Sequence, residues 1–149
     1  MKKKGTSASF GVIGLGRFGS ALVECLASSG KEVIAVDKDE AKVKEARRFT
    51  DYAMVVEALD RESLEEAGMQ NCDTVVICIG EQVDVSILAT MTALKMNVPH
   101  VIAKANSLIH GEVLKQLGAR VVYPERDMAI RLANRLETAK VLDYIQLSE

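Results

Sequence analysis

The stretch GVIGLGRFGSAL, Gly11–Leu22, places three glycines in the spacing G-x-G-x-x-G directly after a short apolar run. Where such a run leads into a helix, this spacing is typical of a loop that binds nucleotide phosphates. Gly14 permits the tight turn, Gly16 lets the backbone approach a pyrophosphate, and Gly19 lets helix and strand pack closely. The helix N-terminus adds free N–H donors and the positive end of its dipole.

The acidic partner of this loop is Asp37, which ends the next apolar run, EVIAVD, 18 residues after Gly19. A carboxylate at this distance accepts hydrogen bonds from ribose hydroxyls and repels a 2′-phosphate. The residue therefore favours NAD(H), or an adenine nucleotide such as ATP or ADP, over NADP, although Lys38 weakens the repulsion. The alternative is that the glycines serve packing only and Asp37 is a solvated strand end.

Arg17 lies between the second and third glycine, and it discriminates among the nucleotides that the loop could hold. A dinucleotide-binding loop needs no charge at this position, whereas a guanidinium can reach phosphates beyond the first pyrophosphate. Arg17 therefore suits a charged polyphosphate tail. The alternative is an exposed arginine on the loop surface.

Strand-like and helix-like stretches alternate along the chain and make six β-α units. The predicted strands are SFGVIG, EVIAVD, YAMVVEA, TVVICIG, HVIAKA and RVVYP. The fourth is apolar on both faces, as expected of a central parallel strand. The sequence predicts an α/β, Rossmann-like fold: a doubly wound, parallel six-stranded sheet with helices on both faces and a ligand crevice beyond the carboxyl ends of the strands. This domain is expected to span residues 1–140.

Further candidate residues follow the strands at the edge where the crevice is expected. The stretches EALD and CIGE are placed to contact adenine and ribose through backbone and small side chains. Lys104 and Glu125 close the fifth and sixth predicted strands, where the alternative is a satisfied strand-end charge. The predicted nucleotide-binding residues are Gly14, Gly16, Arg17, Phe18, Gly19, Asp37, Lys38, Ala58, Leu59, Ile79, Gly80, Glu81 and Lys104.

Composition excludes several classes of protein. Of the 149 residues 48% are hydrophobic, and 19 Lys+Arg against 21 Asp+Glu give a formal net charge of -2. This balance offers no basic field for nucleic acid or an anionic membrane. No apolar stretch is long enough for a signal peptide or membrane span, so a cytoplasmic protein is expected. Cys25, Cys72 and Cys78 lack C-x-x-C spacing, which favours reduced, mostly buried thiols over disulfides or zinc.

No catalytic motif accompanies the nucleotide fold. A dehydrogenase needs a proton-transfer group, and the two histidines, His100 and His110, are both expected to be structural or exposed. G-x-S-x-G and Walker lysine motifs are absent from the sequence. The residues therefore predict a nucleotide-binding domain that is not an enzyme, with an NAD-dependent oxidoreductase fragment as the alternative.

The C-terminal part of the chain carries more apolar side chains than one domain needs. The apolar side chains of the final stretch, VLDYIQLSE, are expected to pack against either a partner subunit or a further domain of a longer protein. We expect residues 141–149 to begin a crossover to an absent lobe. Two predicted helices carry apolar residues on more than one face. We expect part of each helix to contact another subunit; the alternative is burial of both faces within one domain. On the fourth predicted helix, one stripe is Ile87, Leu88, Met91 and Leu94, and the second is Val85, Ala89, Ala93 and Met96. On the last predicted helix, Ile130 lies opposite a stripe of Met128, Ala129, Leu132, Ala133 and Leu136.

In this order along the chain, FGVIGLGRFGSAL, VIAVDKDEAKV, VVICIGE, VIAKA and LGARVVYPERDMAIRLA resemble the regulator-of-potassium-conductance (RCK, KTN or TrkA-N) domain, in particular the KtrA type. The resemblance covers essentially the whole chain. It implies a cytoplasmic regulatory subunit without catalytic activity, which forms homodimers that assemble into an octameric ring. That ring gates a membrane-embedded potassium channel or transporter, through which alone it is held at the membrane.

The resemblance also implies ligands and residue roles. ATP and ADP would compete at the glycine loop and set the shape of the ring, with Arg17 reaching the γ-phosphate, including that of a neighbouring subunit. Asp37 would hold the ribose, Lys104 would be a further phosphate contact, and Glu125 would bind a Mg, Ca or Na ion between paired sites. The alternative within the family is an NAD(H)-sensing regulator of the TrkA type.

Overall fold

The computed structural model describes residues 9–138. The strands in this range are β1 (Ser9–Ile13), β2 (Glu32–Asp37), β3 (Tyr52–Val55), β4 (Thr74–Ile77), β5 (His100–Lys104) and β6 (Arg120–Val122). The helices are α1 (Arg17–Ser28), α2 (Glu40–Ala46), α3 (Arg61–Glu66), α4 (Val83–Lys95), α5 (Leu108–Leu117) and α6 (Pro124–Thr138). The predicted crossover at 141–149 lies outside the described residues.

All six strands are parallel, and they lie in the order β3-β2-β1-β4-β5-β6. The chain runs outward from β1 to β3 and then returns to place β4 on the other side of β1. The strand order therefore reverses between β1 and β4, which is the point where sheets of this kind bind their ligands. The predicted Rossmann-like sheet is confirmed.

Helices cover both faces of the sheet. Val12 and Ile13 are neighbours on β1 and are both fully buried, yet they belong to different core clusters. Successive strand residues point to opposite faces, so each cluster fills one side of the sheet. Val12 packs in the cluster of Val23 from α1, whereas Ile13 packs in that of Leu64 from α3 and Leu114 from α5.

Most element boundaries agree with the prediction to within a few residues, but α6 begins earlier than expected. Proline suits the first position of a helix because its missing N–H would have no partner there, and Pro124 opens α6. Oδ2 of Asp127 accepts a hydrogen bond of 3.0 Å from the N–H of Tyr123. Glu125 therefore lies in the first turn of α6, and the prediction that it closes a strand is wrong, since β6 ends at Val122.

The two apolar stripes predicted on α4 have different surroundings. Ala89, Ala93 and Met96 are buried in the core, and Ile87 packs against it. Leu88 is 59% exposed. Burial within one domain therefore accounts for most of α4 and leaves Leu88 at the surface.

Helix α6 buries none of its residues within the described chain. Met128, Ile130, Leu132 and Leu136 are all exposed, Met128 to 60%. Met128, Leu132 and Leu136 recur every four residues, so they share one side of the helix. This apolar stripe has no cover among residues 9–138.

Candidate nucleotide-binding site

A crevice of about 930 Å³ opens at the carboxyl ends of β1, β2, β4 and β5, at the switch point of the sheet. All the predicted nucleotide-binding residues line it except Gly19 and Ala58. Ala58 is exposed outside the crevice, whereas the next residue, Leu59, lines it. The crevice is also lined by residues that were not predicted: Leu15, Ser20, Val36, Asp39, Lys42, Cys78, Gln82 and Val85.

The three glycines of the loop have three different roles. Gly14 adopts a φ of +102°, which side chains rarely tolerate, and its N–H donates to the carbonyl of Val36 over 2.9 Å. A Cβ on Gly19 would collide with the carbonyl oxygen of Gly14, so Gly19 permits the close packing of α1 and is buried. A Cβ on Gly16 would have no atom of residues 9–138 within 4 Å. The space beside Gly16 therefore remains free for a ligand.

Helix α1 begins at this free space. Gly16 is its N-cap residue, and no side chain caps the helix there. The first backbone N–H groups of a helix have no partner within the helix, and the positive end of the helix dipole lies beside them. The crevice thus presents donors and positive potential where a phosphate would lie.

Asp37 shapes the loop as well as lining the crevice. Its Oδ2 accepts a hydrogen bond of 2.6 Å from the N–H of Leu15, and its Oδ1 accepts one of 2.8 Å from the N–H of Asp39. Each carboxylate oxygen can accept two hydrogen bonds, so one position on each remains for ribose hydroxyls. The predicted ribose contact is compatible with this geometry.

Cationic side chains gather at the phosphate end of the crevice. The Nζ of Lys104 lies 5.7 Å from the centroid of the Phe18 ring. The Lys104 stem crosses Gly80 so closely that a Cβ there would lie 2.8 Å from Cε. Arg17, the first residue of α1, is exposed and lines the same space. These two cations suit the terminal phosphates of a nucleotide.

A second cavity of about 640 Å³ adjoins the crevice and shares with it Arg17, Phe18, Gly80, Glu81 and Lys104. It extends to the start of α6 and includes Glu125. Residues 9–138 contain no group of three or more His, Cys, Asp or Glu side chains that could hold a metal ion. The cation predicted at Glu125 therefore stays a prediction, and it would need further ligands.

The thiol of Cys78 lies in the wall of the crevice. Burial raises its pKa to about 12, although the charge of Lys104 acts in the opposite direction. The thiol is therefore protonated at neutral pH and is a poor nucleophile or metal ligand. Cys72 is also buried and Cys25 is exposed, in agreement with the expectation that the thiols are mostly buried.

His110 is held away from the crevice, in the packing between α4 and α5. It is 2% exposed, and its Nε2 lies 3.0 Å from Oγ of Ser86. Burial lowers the pKa of its imidazole, which favours the neutral ring. His100 is exposed at the start of β5. These positions agree with the expectation that the histidines are structural or exposed, but sequence reasoning missed the hydrogen bonds of His110.

The family model of the TrkA-N domain matches residues 10–124, which include the loop, the crevice and all six strands except Ser9, the first residue of β1. This chain belongs to the TrkA-N domain family. Ktr system potassium uptake protein C of Bacillus subtilis is 41% identical over 94% of the chain and 64% of that relative. Protein A of the Ktr system of Vibrio alginolyticus is 43% identical over 91% of the chain and 62% of that relative. The TrkA-N chain therefore spans less than two thirds of the length of these relatives.

Solved structures share the TrkA-N fold at lower identity. The TrkA-N domain of inner membrane protein ybaL from Escherichia coli has a TM-score of 0.77 at 22% identity, covering 89% of this chain and 98% of that one. GsuK bound to ADP has a TM-score of 0.67 at 23% identity, covering 88% and 34%. The GsuK channel bound to NAD has a TM-score of 0.66 at 16% identity, covering 80% and 22%. Within residues 9–138, no helix has the length and apolar character needed to cross a bilayer.

Proposed function

We propose that this chain is a nucleotide-sensing regulatory domain of a membrane potassium transporter or channel, and that it is not an enzyme. The observation that carries the proposal is the crevice at the switch point, where the uncapped start of α1 at Gly16 faces the same space as Arg17 and Lys104. The Ktr potassium uptake relatives support the link to potassium transport. His110 is buried and hydrogen-bonded to Ser86, so its position gives no support to a role as the proton-transfer group of an oxidoreductase.

ATP and ADP are the proposed ligands. With the ribose at Asp37 and the first phosphates at Gly16, a further phosphate would extend towards Arg17 and Lys104, which border both cavities. ATP differs from ADP by this one charged group. Only residues that touch it can give the two nucleotides different affinities for two conformations, and that difference is what shifts a conformational equilibrium.

Assembly into homodimers and an octameric ring is proposed from the exposed apolar side chains. Leu88 of α4 and Ile109 of α5 are 59% and 74% exposed, on helices that pack against each other. The stripe on α6 provides a second apolar surface. Two distinct surfaces on one chain can form two kinds of subunit contact, as a ring of dimers requires. The cation proposed at Glu125 would then take ligands from paired subunits.

NAD(H) is the second candidate ligand, and the shape of the crevice favours it in one respect. The second cavity continues the first past Lys104, so that together they could take both halves of a dinucleotide. Asp37 suits the ribose of NAD as well as that of ATP. An NAD(H)-sensing regulator would use the same loop and lack the role proposed for Arg17 at a γ-phosphate.

Competition binding separates these candidates. ATP, ADP and NADH are titrated into the chain by calorimetry, each alone and each in the presence of the others. We expect ATP and ADP to displace each other and to bind more tightly than NADH. Preferred binding of NADH supports the second candidate, turnover of NADH with a small carbonyl compound supports an enzyme, and binding of none of the three overturns the proposal.

A further inference from the structure

A chain of hydrogen bonds runs from the packing between α4 and α5 to the rim of the crevice. Nδ2 of Asn106 donates to the carbonyl oxygen of Gly80 over 2.7 Å. Oδ1 of Asn106 lies 3.2 Å from Nδ1 of His110, and Nε2 of His110 lies 3.0 Å from Oγ of Ser86. The chain thus links α4, α5 and the segment after β5 to the segment after β4.

The orientation of the Asn106 amide follows from its partners. The carbonyl of Gly80 can only accept, so the amide nitrogen must face it and the amide oxygen must face His110. The backbone N–H of Asn106 also donates to Nδ1 of His110, over 3.1 Å. An unprotonated Nδ1 accepts from this N–H, and a protonated Nδ1 donates to Oδ1. Asn106 therefore supplies a partner to His110 in either tautomer.

The inner part of this hydrogen-bond chain is buried, and the outer part reaches the ligand space. His110 and Ser86 are 2% and 0% exposed, so neither can exchange its partner for water without opening the packing. Asn106 is exposed and borders the second cavity, and Gly80 and Glu81 border both cavities. When Nδ1 of His110 carries a proton, the hydrogen bonds fix the solvent-facing amide of Asn106 from the core outward. When it does not, they fix the backbone of Asn106, from which that side chain extends.

We propose that Asn106 is a positioning residue for nucleotide binding, which His110 and Ser86 hold in place. Its bond to Gly80 orients the Gly80–Glu81 peptide where the two cavities meet. In a trans peptide the N–H of Glu81 points opposite to the Gly80 carbonyl, so both groups are fixed together. The stem of Lys104 packs over Gly80, and rotation of this peptide would move that cation as well.

This inference rests on the proposed nucleotide site, and it is tested in the full chain by calorimetry with ATP and ADP. For Asn106→Ala we expect dissociation constants roughly two- to tenfold higher for both nucleotides, from loss of one neutral hydrogen bond. The melting temperature should change little, because the lost bond is exposed to water.

His110→Gln tests the inner part of the hydrogen-bond chain. It should lower the melting temperature and weaken both nucleotides, and the double variant with Asn106→Ala should bind no more weakly than Asn106→Ala alone. Such non-additivity shows that His110 acts through Asn106. Ser86→Ala breaks the same chain and replaces His110→Gln in the test if that variant does not fold. Leu114→Val, at a buried position one turn further along α5, is the matched control and should lower the melting temperature only.

The outcomes distinguish this inference from the proposed function. If the unaltered chain binds ATP or ADP and Asn106→Ala binds equally well, Asn106 does not position the site. Additive losses in the double variant overturn the role of His110 and Ser86. If the unaltered chain binds neither nucleotide, the proposed function fails, and the role of Asn106 fails with it.

Discussion

The backbone N–H of Leu15 donates to Oδ2 of Asp37 over 2.6 Å, between the carboxyl ends of the neighbouring strands β1 and β2. This bond joins the glycine loop after β1 to the end of β2. The same carboxylate is the proposed acceptor for the ribose hydroxyls, so the proposal gives it two roles: to shape the glycine loop and to bind the ligand. Substitutions at Asp37 therefore act on both folding and binding, and the experiments must separate the two.

Asp37→Ala should weaken ATP, ADP and NADH to similar extents, because all three carry the ribose. Loss of charge-assisted hydrogen bonds costs about 1.5–3 kcal/mol, which corresponds to about one to two decades in the dissociation constant. The melting temperature should also fall, since the N–H of Leu15 loses its acceptor. Calorimetry and thermal unfolding measure the two effects.

The matched control is Asp60→Ala. Asp60 caps α3 by accepting a hydrogen bond of 2.9 Å from the N–H of Ser63, which lowers the pKa of its carboxyl, and it lies outside both cavities. This variant should lose stability and keep its nucleotide affinities. Unchanged ATP affinity in Asp37→Ala would refute the ribose assignment.

Gly16→Val should abolish nucleotide binding while the domain stays folded. Among the described residues, no atom lies within 4 Å of a Cβ on Gly16, so a side chain there would fill the proposed position of a phosphate without disturbing the core. Gly19→Ala is the contrasting variant, because its Cβ would collide with the Gly14 carbonyl. This variant should unfold, or α1 should lose its packing against the sheet. Circular dichroism and calorimetry check both; nucleotide binding by Gly16→Val would mean that the phosphates lie elsewhere.

The fold could be predicted from local pattern because each element is marked at its ends. The strand EVIAVD was predicted with the bounds that the structure has, Glu32–Asp37, since a glycine turn precedes it and polar residues follow. Gly30 and Gly118 follow helices with positive φ, as helix-ending glycines do. The start of α6 was missed because a proline can end a strand or open a helix, and sequence pattern alone does not distinguish the two at Pro124.

Much of the site could also be predicted, because a parallel sheet brings the carboxyl ends of its strands to one edge. Ala58 was assigned to the crevice because it follows the third predicted strand, but of the stretch EALD only Leu59 lines the crevice. The hydrogen bonds of His110 could not be predicted, since Ser86 lies 24 residues away in sequence and no short motif connects them. One signal was available: Ser86 is a polar residue on the buried side of α4, where a hydrogen-bond partner is to be expected.

The free energy of unfolding should fall as the pH drops below about 6.5, and His110 should be one cause. Burial places the folded-state pKa of His110 below its ordinary value of 6.5. Between these two values the unfolded chain binds a proton that the folded chain does not, so acid favours unfolding. His110→Gln should be less stable at pH 7 and show a shallower decline towards pH 5, by up to about 1.4 kcal/mol per pH unit.

Denaturant unfolding at a series of pH values measures this slope. Leu114→Val is the control, because it removes buried apolar volume from α5 and no titratable group, and it should keep the slope of the unaltered chain. Equal slopes in His110→Gln and the unaltered chain would show that the imidazole of His110 binds a proton as readily in the folded chain as in the unfolded one.

Charges placed on the exposed surface of α4 and α5 should break the proposed assembly. We expect the double variant Leu88→Asp and Ile109→Asp to have a lower molar mass in light scattering, because a carboxylate buried in an apolar contact loses its hydration. The affinity for ADP should persist, since neither residue lines the crevice. Lys115→Asp, an exposed polar position on α5, is the control and should keep the mass of the unaltered chain. An unchanged mass in the double variant would place the subunit contacts elsewhere.

Arg17→Ala should separate ATP from ADP where Asp37→Ala does not. Its exposed guanidinium borders both cavities beside the glycine loop, where it can extend past the β-phosphate. The variant should lose most of any preference for ATP, while ADP binding changes little. Arg48→Ala removes an exposed arginine that pairs with Glu45 away from the crevice, and it should leave both affinities unchanged. Equal weakening of both nucleotides by Arg17→Ala would make Arg17 an ordinary pyrophosphate contact. The discrimination between ATP and ADP would then fall to Lys104, because Lys104 is the other cation that lines both cavities.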